Sequence, residues 1–343
     1  MEKTITFAIP CYNSAAYLDR CVKSIVEGSA FAEDMQVIIV DDGSDDDTLA
    51  LALAWHRRHP NIVEVVHQKN GGHGMAVLAG LERARGSYFR VVDSDDWLEA
   101  SALMSLLFLL RTLTAQGRPV DLVVTNYVYE HVCDNTRRTV HYHRALPKGR
   151  VIGWEDTGHF NIMQNMLMHS LTYRTEVLRS GPVPLPAHTS YEDNIYAYVP
   201  LPRCRTLYYL DVDLYRYFIG REDQSVSESV MVANVDQQLR ITRIMMGAYR
   251  LERDVTSRKL RRYMQGYLTM MFAICSVLTA LSGQEGTKRD LDALWAELRE
   301  HDEGMYRAAR HGLVGTVSGI PNHLGTKAAN FIYRGAQRIC KFN

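Results

Sequence analysis

The first hundred residues alternate short β-branched runs with stretches whose apolar positions recur at helical spacing. Ile5 to Ile9 reads as the first strand. From Ser14 the period lengthens, so that Leu18, Cys21, Val22, Ile25 and Val26 share one helical face, with Asn13 or Ser14 as its cap and Gly28 as its stop. Gln36 to Val40 gives a second strand, followed by a helix from Thr48 to His59 that Pro60 closes. Ile62 to Val66 is the third strand, His73 to Ala84 the third helix and Tyr88 to Val92 the fourth strand. Strands that alternate with helices in this way predict βαβ units and a Rossmann-like, mainly parallel sheet flanked by helices.

Beyond the fourth strand the pattern loosens. Trp97 to Leu113 is helical in period, Asp121 to Glu130 and Arg138 to His143 read as β-structure, and the loop Gly181 to Pro186 precedes a short helix from Glu192 to Val199. Two short strands, Thr206 to Tyr209 and Leu214 to Phe218, end this region. After Ser225 almost everything is helical, over Val226 to Arg250, Arg258 to Leu281, Leu291 to Glu300 and Lys327 to Lys341. The sequence therefore predicts an α/β domain over 1–224 and an all-helical C-terminal region over 225–343. Tyr263 to Leu281 carries no charge, yet Gln265, Gly266, Thr269, Ser276 and Thr279 make it read as a buried helix rather than a membrane span.

A chain of 343 residues accommodates one large domain and a smaller one. Lys+Arg and Asp+Glu balance at 39 each, which argues against a nucleic-acid partner. Six cysteines without a CxxC pair predict reduced thiols. No basic segment followed by an apolar one precedes Ile5, so the expected location is cytoplasmic. After Glu303 no acidic residue occurs, while Arg307, Arg310, Lys327, Arg334, Arg338 and Lys341 accumulate among Phe331, Ile332, Ile339 and Phe342. Such a helix can lie peripherally on the inner face of an anionic membrane, or pack its apolar stripe on the rest of the protein.

Ligands of an open parallel sheet bind beyond the carboxyl ends of its strands. Three strands here exit into Pro10-Cys11-Tyr12-Asn13, Asp41-Asp42-Gly43-Ser44 and Asp93-Ser94-Asp95-Asp96. Asp45, Asp46 and Asp47 suit the start of a helix, where unpaired amides favour acids. Asp41 and Asp42, directly after a strand, are placed to accept hydrogen bonds from a base or ribose. Three carboxylates in four residues repel one another unless a cation relieves them, and hard oxygen donors on a tight turn suit Mg2+ or Mn2+. His141 and His143 alternate near His131 and Cys133 without a carboxylate at zinc-ligand spacing and read as surface histidines. Met163, Met166 and Met168 read as packing.

The ordered set Ile9-Pro10-Cys11-Tyr12-Asn13, Val40-Asp41-Asp42-Gly43-Ser44, Asn70-Gly71-Gly72-His73-Gly74 and Asp93-Ser94-Asp95-Asp96-Trp97 resembles family 2 glycosyltransferases of the GT-A fold. The resemblance implies a UDP-sugar donor, a Mg2+ or Mn2+ ion and inversion at the anomeric carbon. It also implies that Pro10, Tyr12 and Asn13 line the nucleotide pocket and that Asp41 or Asp42 binds uracil or ribose. Asp93 would contact ribose or metal beside Ser94, and Asp95 would ligate the metal. Where many members carry an Arg near the position of Val77, this chain instead opens the helix with Gly72-His73-Gly74, a turn able to approach phosphate.

Tyr191-Glu192-Asp193-Asn194 resembles the family's ED motif. Asp193 is then the candidate general base, with Glu192 orienting it or binding the sugar, although Ser190 and Asp193 also fit a capping box. Arg221 or Arg216, with Ser225 nearby, is the candidate to close over the diphosphate; a solvated strand tip is the other reading. The expected acceptor is a glycan or a lipid-linked glycan. A sugar-nucleotide pyrophosphorylase and a non-catalytic carbohydrate-binding protein of the same fold are the rival readings.

Overall fold

The structure is a computed structural model that describes residues 3–28, 30–131, 135–161, 164–219 and 228–311. Its contacts divide the chain into two units, Met1–His159 with Met166–Ile219, and Phe160–Asn165 with Gly220–Asn343.

The first unit is built on one mixed sheet. Strands β1 (Lys3–Cys11), β2 (Met35–Asp41), β3 (Val63–His67) and β4 (Gly86–Val91) are parallel and joined by helices α1 (Ala15–Val26), α2 (Thr48–Arg58) and α3 (His73–Arg83). The β2 run MQVIIVD is buried along its whole length, as expected of a strand covered on both faces. Then follow β5 (Trp97–Leu98), α4 (Ala100–Ala115), β6 (Leu122–His131), β7 (Thr136–Val140), β8 (Val151–Ile152), β9 (Leu171–Arg174), α5 (Thr175–Arg179), α6 (Asp193–Tyr198) and β10 (Leu207–Ile219). The sheet order is β3-β2-β1-β4-β9-β6-β10-β5, with β7 on β6 and β8 on β10. Strand β9 runs antiparallel between β4 and β6.

The first four strands and three helices lie where the hydrophobic pattern puts them, and the later elements differ. Trp97 and Leu98, expected to be helical, pair antiparallel with Arg216 and Tyr215, and α4 starts only at Ala100. The Glu99 carboxylate accepts from Ala102 N at 2.8 Å and so fixes the helix start after that pairing. The two short strands expected at 206–209 and 214–218 are one strand, β10, with register shifts between Leu210 and Tyr215. Asn126 Nδ2 holds that bulge by donating to both Asp211 and Asp213, at 2.9 and 3.0 Å. Strand β9 and the two-residue β8 have no counterpart in the sequence reading. Met166 and Met168 are buried packing residues, and Met163 lies outside the described residues.

In the second unit the expected helix over 226–250 is two, α7 (Glu228–Ala233) and α8 (Val235–Ala248). Asn234 breaks it, with φ −107° and ψ 29° and its side chain donating to Val230 O at 3.0 Å. The remaining helices are α9 (Leu251–Asp254), α10 (Arg258–Ser282), α11 (Glu285–His301) and α12 (Glu303–His311). By length and composition α10 is apolar enough to cross a membrane, and half of that apolar stretch is buried within the unit. Phe272 packs on Trp295 with ring centroids 4.5 Å apart, and Gly283, at φ 64°, ends the helix. Phe160 and Asn165 belong to this unit through Tyr263, at a 4.5 Å ring separation, and Met270. The expected basic helix over 327–341 lies outside the described residues.

Helix α3 approaches β1 at Gly80, where an added Cβ would stand 2.7 Å from Ala8 Cβ. Replacing Gly80 by Ala should therefore overpack that seam and lower stability by about 1–3 kcal/mol, read as a lower urea midpoint at unchanged slope.

Candidate active site

The carboxyl ends of β1, β2 and β4 open at one rim of the sheet, and hydrogen bonds between their exit loops fix the rim. Asn13, at φ 49°, donates its backbone N–H to Ser44 Oγ at 3.0 Å, while its side-chain oxygen accepts from Asp45 N at 2.9 Å. The Ser14 hydroxyl, expected to cap α1, makes no capping bond and instead meets Ser94 Oγ at 2.8 Å. Asp46 fits its expected place among helix-end amides, accepting from Thr48 N at 2.9 Å and from Ala15 N at 3.1 Å. Tyr12 is 51% exposed at this rim, a ring with an open face.

Asp41 and Asp42 are both buried. Asp41 Oδ2 lies 2.6 Å from His67 Nδ1. Asp42 accepts from Gln68 Nε2 at 2.7 Å, Gly71 N at 2.9 Å and Gly72 N at 2.7 Å. Its carboxylate thus holds the turn that opens α3. At Gly72, with φ 88°, an added Cβ would come within 2.8 Å of His188 N. The turn therefore lies directly against the segment that leads into α6.

His73 follows, and each ring nitrogen of its imidazole meets a carboxylate. Nδ1 lies 2.6 Å from Glu192 Oε1 and Nε2 lies 2.9 Å from Asp93 Oδ1. The sequence reading put His73 on a turn able to approach phosphate; the structure turns its ring to two acids. Burial disfavours the imidazolium, but Glu192 and Asp93 outweigh it and hold the His73 pKa well above the usual histidine value. Asp93 is also half-buried, and hydrogen bonds from His169 and His73 overcome that burial to hold its carboxyl well below the usual range. His169 Nε2 lies 3.5 Å from Asp93 Oδ2.

Asp96 is buried and differently held. Tyr215 OH donates to it at 2.6 Å, and Phe218 N donates at 2.8 Å. Burial, then the charges of Asp95 and Asp93, push its pKa well above the usual carboxylate value. The carbonyl of Asp95 accepts from Arg20 Nη2 at 2.6 Å, and the Arg20 guanidinium stands 4.1 Å from the Trp97 ring centroid and 4.9 Å from that of Phe218. Asp193 begins α6, next to Glu192, and accepts from Asn194 Nδ2 at 3.1 Å. Burial, and then the neighbouring Glu192 charge, raise its pKa to about 6.

Two contributors escaped the sequence reading. Arg20 sits on the exposed side of an amphipathic helix, where a cation is unremarkable. His169 lies in a methionine-rich stretch without motif character. It is 5% exposed, stacks on Tyr217 with ring centroids 4.5 Å apart, and its Nδ1 has no hydrogen-bond partner. With Asp93 and Asp96 it presents metal-ligating atoms within 4.8 Å of one another. Arg216 lies within β10, between Trp97 and Val128, and is paired with Glu130 Oε1 at 2.9 Å, beside Arg137 on the same carboxylate; Arg221 and Ser225 lie outside the described residues. His141 and His143 are exposed, and His141 Nδ1 is 3.8 Å from Asp211.

Residues 6–174 match the sequence model described as Glycosyl transferase family 2. Through this stretch the chain belongs to that family. The family 2 chain is 29% identical over 164 residues to the putative glycosyltransferase EpsH of Bacillus subtilis, covering 44% of each protein. It is 39% identical over 99 residues to chondroitin synthase of Escherichia coli, covering 29% of this chain and 14% of that one. The chain spans less than half the length of these curated relatives. Among solved structures, residues 1–349 of S. aureus TarS in complex with UDP-GlcNAc superpose with a TM-score of 0.66 at 15% identity, over 97% of this chain and 92% of that one. The shared fold is GT-A with following helices.

Replacing Asp42 by Ala would leave the Gln68, Gly71 and Gly72 donors without their acceptor at a largely buried turn. The expected cost is about 1–3 kcal/mol for each group that water cannot reach, checked by denaturant unfolding.

Proposed function

We propose that this chain is an inverting glycosyltransferase that moves a sugar from a UDP-sugar to a hydroxyl of a glycan or lipid-linked glycan. The observation that carries the reading is the convergence of Asp93 and Glu192, far apart in sequence, on the two nitrogens of His73. This convergence brings the acidic turn and the ED pair to one rim, where a donor diphosphate and an acceptor hydroxyl would meet. Family membership supports sugar transfer. A relative named chondroitin synthase supports a glycan acceptor. The UDP-GlcNAc held by TarS names a first donor to test.

In this reading the exposed ring of Tyr12, with Pro10 and Asn13, receives the base, while the buried Asp41 carboxylate, paired with His67 Nδ1, supports the rim. Asp193 takes the acceptor proton. A base works best with its pKa near the working pH, and a raised value of about 6 leaves Asp193 ionised at neutrality yet more basic than an ordinary aspartate. Glu192 raises that pKa and holds the first turn of α6.

The donor set at the rim fits a divalent ion. Asp95 with Asp93 would hold Mg2+ or Mn2+, and His169, whose Nε2 faces Asp93, together with Asp93 and Asp96 offers a second set sharing Asp93. When bound, the ion would neutralise charge on the departing diphosphate. Arg20 would keep the Asp95 backbone in place through its carbonyl.

Asp193→Asn should lower transfer by about 10²–10⁴-fold with donor affinity retained. Asp95→Ala should lower both turnover and Mn2+-dependent donor binding. Wild-type-like turnover in either variant would remove that residue from the mechanism. Because the base must be ionised, kcat/KM should fall as pH drops through about 6, approaching tenfold per unit below it, and hold steady above it. Pyrophosphate release from UTP and a sugar phosphate, without sugar transfer, would favour the pyrophosphorylase reading instead.

A further inference from the structure

We infer that His73 is a positioning residue that fixes the base-bearing end of α6 through Glu192, rather than a contact for the donor phosphates. The inference rests on the proposed role of Asp193 as base. Three observations lead to it.

First, both ring nitrogens are already committed, Nδ1 to Glu192 at 2.6 Å and Nε2 to Asp93 at 2.9 Å. A phosphate could reach the ring nitrogens only by displacing one of these carboxylates. Second, the two glycines that flank His73 are sites of close approach by the segment that enters α6. A Cβ on Gly72 would stand 2.8 Å from His188 N, and one on Gly74 would stand 2.9 Å from Glu192 Cγ and 3.0 Å from Leu185 Cβ. His188 N also donates to Gly71 O at 2.9 Å. The Gly-His-Gly sequence is thereby shaped to receive residues 185–192, with the imidazole at the centre of the contact. Third, Glu192 is 3% exposed, and a buried carboxylate without a partner would relax away or take up a proton. The Glu192 carbonyl accepts from Ile195 N at 2.9 Å and Tyr196 N at 3.2 Å, so the residue His73 grips is also the one on which the first turn of α6 is hung. Asp193 stands on that turn.

His73 therefore ties the acidic turn after β4 to the base-bearing turn of α6 through two hydrogen bonds. A group that orients another residue in this way is worth about 10- to 100-fold in activity.

The two amide side chains separate the two bonds. An Asn side chain reaches about where Nδ1 lies and can keep the bond to Glu192; a Gln side chain reaches about where Nε2 lies and can keep only the bond to Asp93. His73→Ala and His73→Gln should each lower kcat for UDP release from UDP-N-acetylglucosamine or another accepted UDP-sugar with Mn2+ by about 10- to 100-fold, with KM changed less than about threefold, and His73→Asn should recover most of the loss. In a Glu192→Ala background, which removes the acceptor, the same His73→Ala change should cost much less than it does alone.

Amide hydrogen exchange, which needs no substrate, should quicken at Asn194, Ile195 and Tyr196 in the Ala and Gln variants but not in the Asn variant. A rise in donor KM at unchanged kcat would make His73 a donor contact and overturn the inference. So would additive losses with Glu192→Ala, or unchanged exchange at the start of α6. Asp193→Asn is the control that tells the two failures apart: if it turns over normally the base assignment falls, and the exchange measurement still judges whether His73 positions α6.

Discussion

Carboxylates crowded at a sheet rim repel one another, and this rim persists because each buried one has its own donor. Asp41 has His67, Asp42 has two backbone amides and Gln68, Asp96 has Tyr215 and Phe218 N, and Asp93 and Glu192 share His73. The environments differ, and so do the protonation states they favour. Imidazoles overcome burial to hold Asp93 ionised, whereas burial and the charges of Asp95 and Asp93 push the Asp96 carboxyl toward its neutral form against the opposing bonds from Tyr215 and Phe218 N. One four-residue turn thus carries acids with opposite tendencies, a pattern common where charge has to be placed rather than merely tolerated.

The scaffold serves this rim in two ways. Parallel strands buried on both faces bring the ends of β1, β2 and β4 side by side and give the exit loops a rigid base. The far half of the sheet then closes on the acidic turn. Trp97 and Leu98 pair with β10, Tyr215 and Phe218 bond Asp96, and Arg20 from α1 slots between the Trp97 and Phe218 rings to hold Asp95 by its carbonyl. The turn is thereby held from both sides, at the Asp96 carboxyl by Tyr215 and Phe218 N and at the Asp95 carbonyl by Arg20.

The helical unit has a different economy. Its longest helix, α10, buries Met264, Tyr267, Leu268, Met271, Phe272 and Cys275, while hydroxyls such as Ser276 bond back to the preceding turn, at 2.8 Å to Phe272 O. Thr269 does the same, at 2.8 Å to Gln265 O, while the buried Thr279 hydroxyl has no hydrogen-bond partner.

The sequence by itself determined the elements whose pattern is local: β1 to β4, α1 to α3, and the strand-end placement of Asp41, Asp42 and Asp93. Periods of two and 3.6 are properties of a few consecutive residues, and βαβ order follows from their alternation. Tertiary structure decided what depends on partners distant in the chain. The four-residue strand β9, the pairing of Trp97 and Leu98, and the bulge that makes one strand of β10 exist only because β4, β6 and Asn126 provide edges and hydrogen bonds. The same holds at the rim. That an acid follows a strand can be read from the chain, but that His73 meets both Asp93 and Glu192, or that His169 and Arg20 stand beside the turn, arises from long-range packing, and no run of neighbouring residues encodes it.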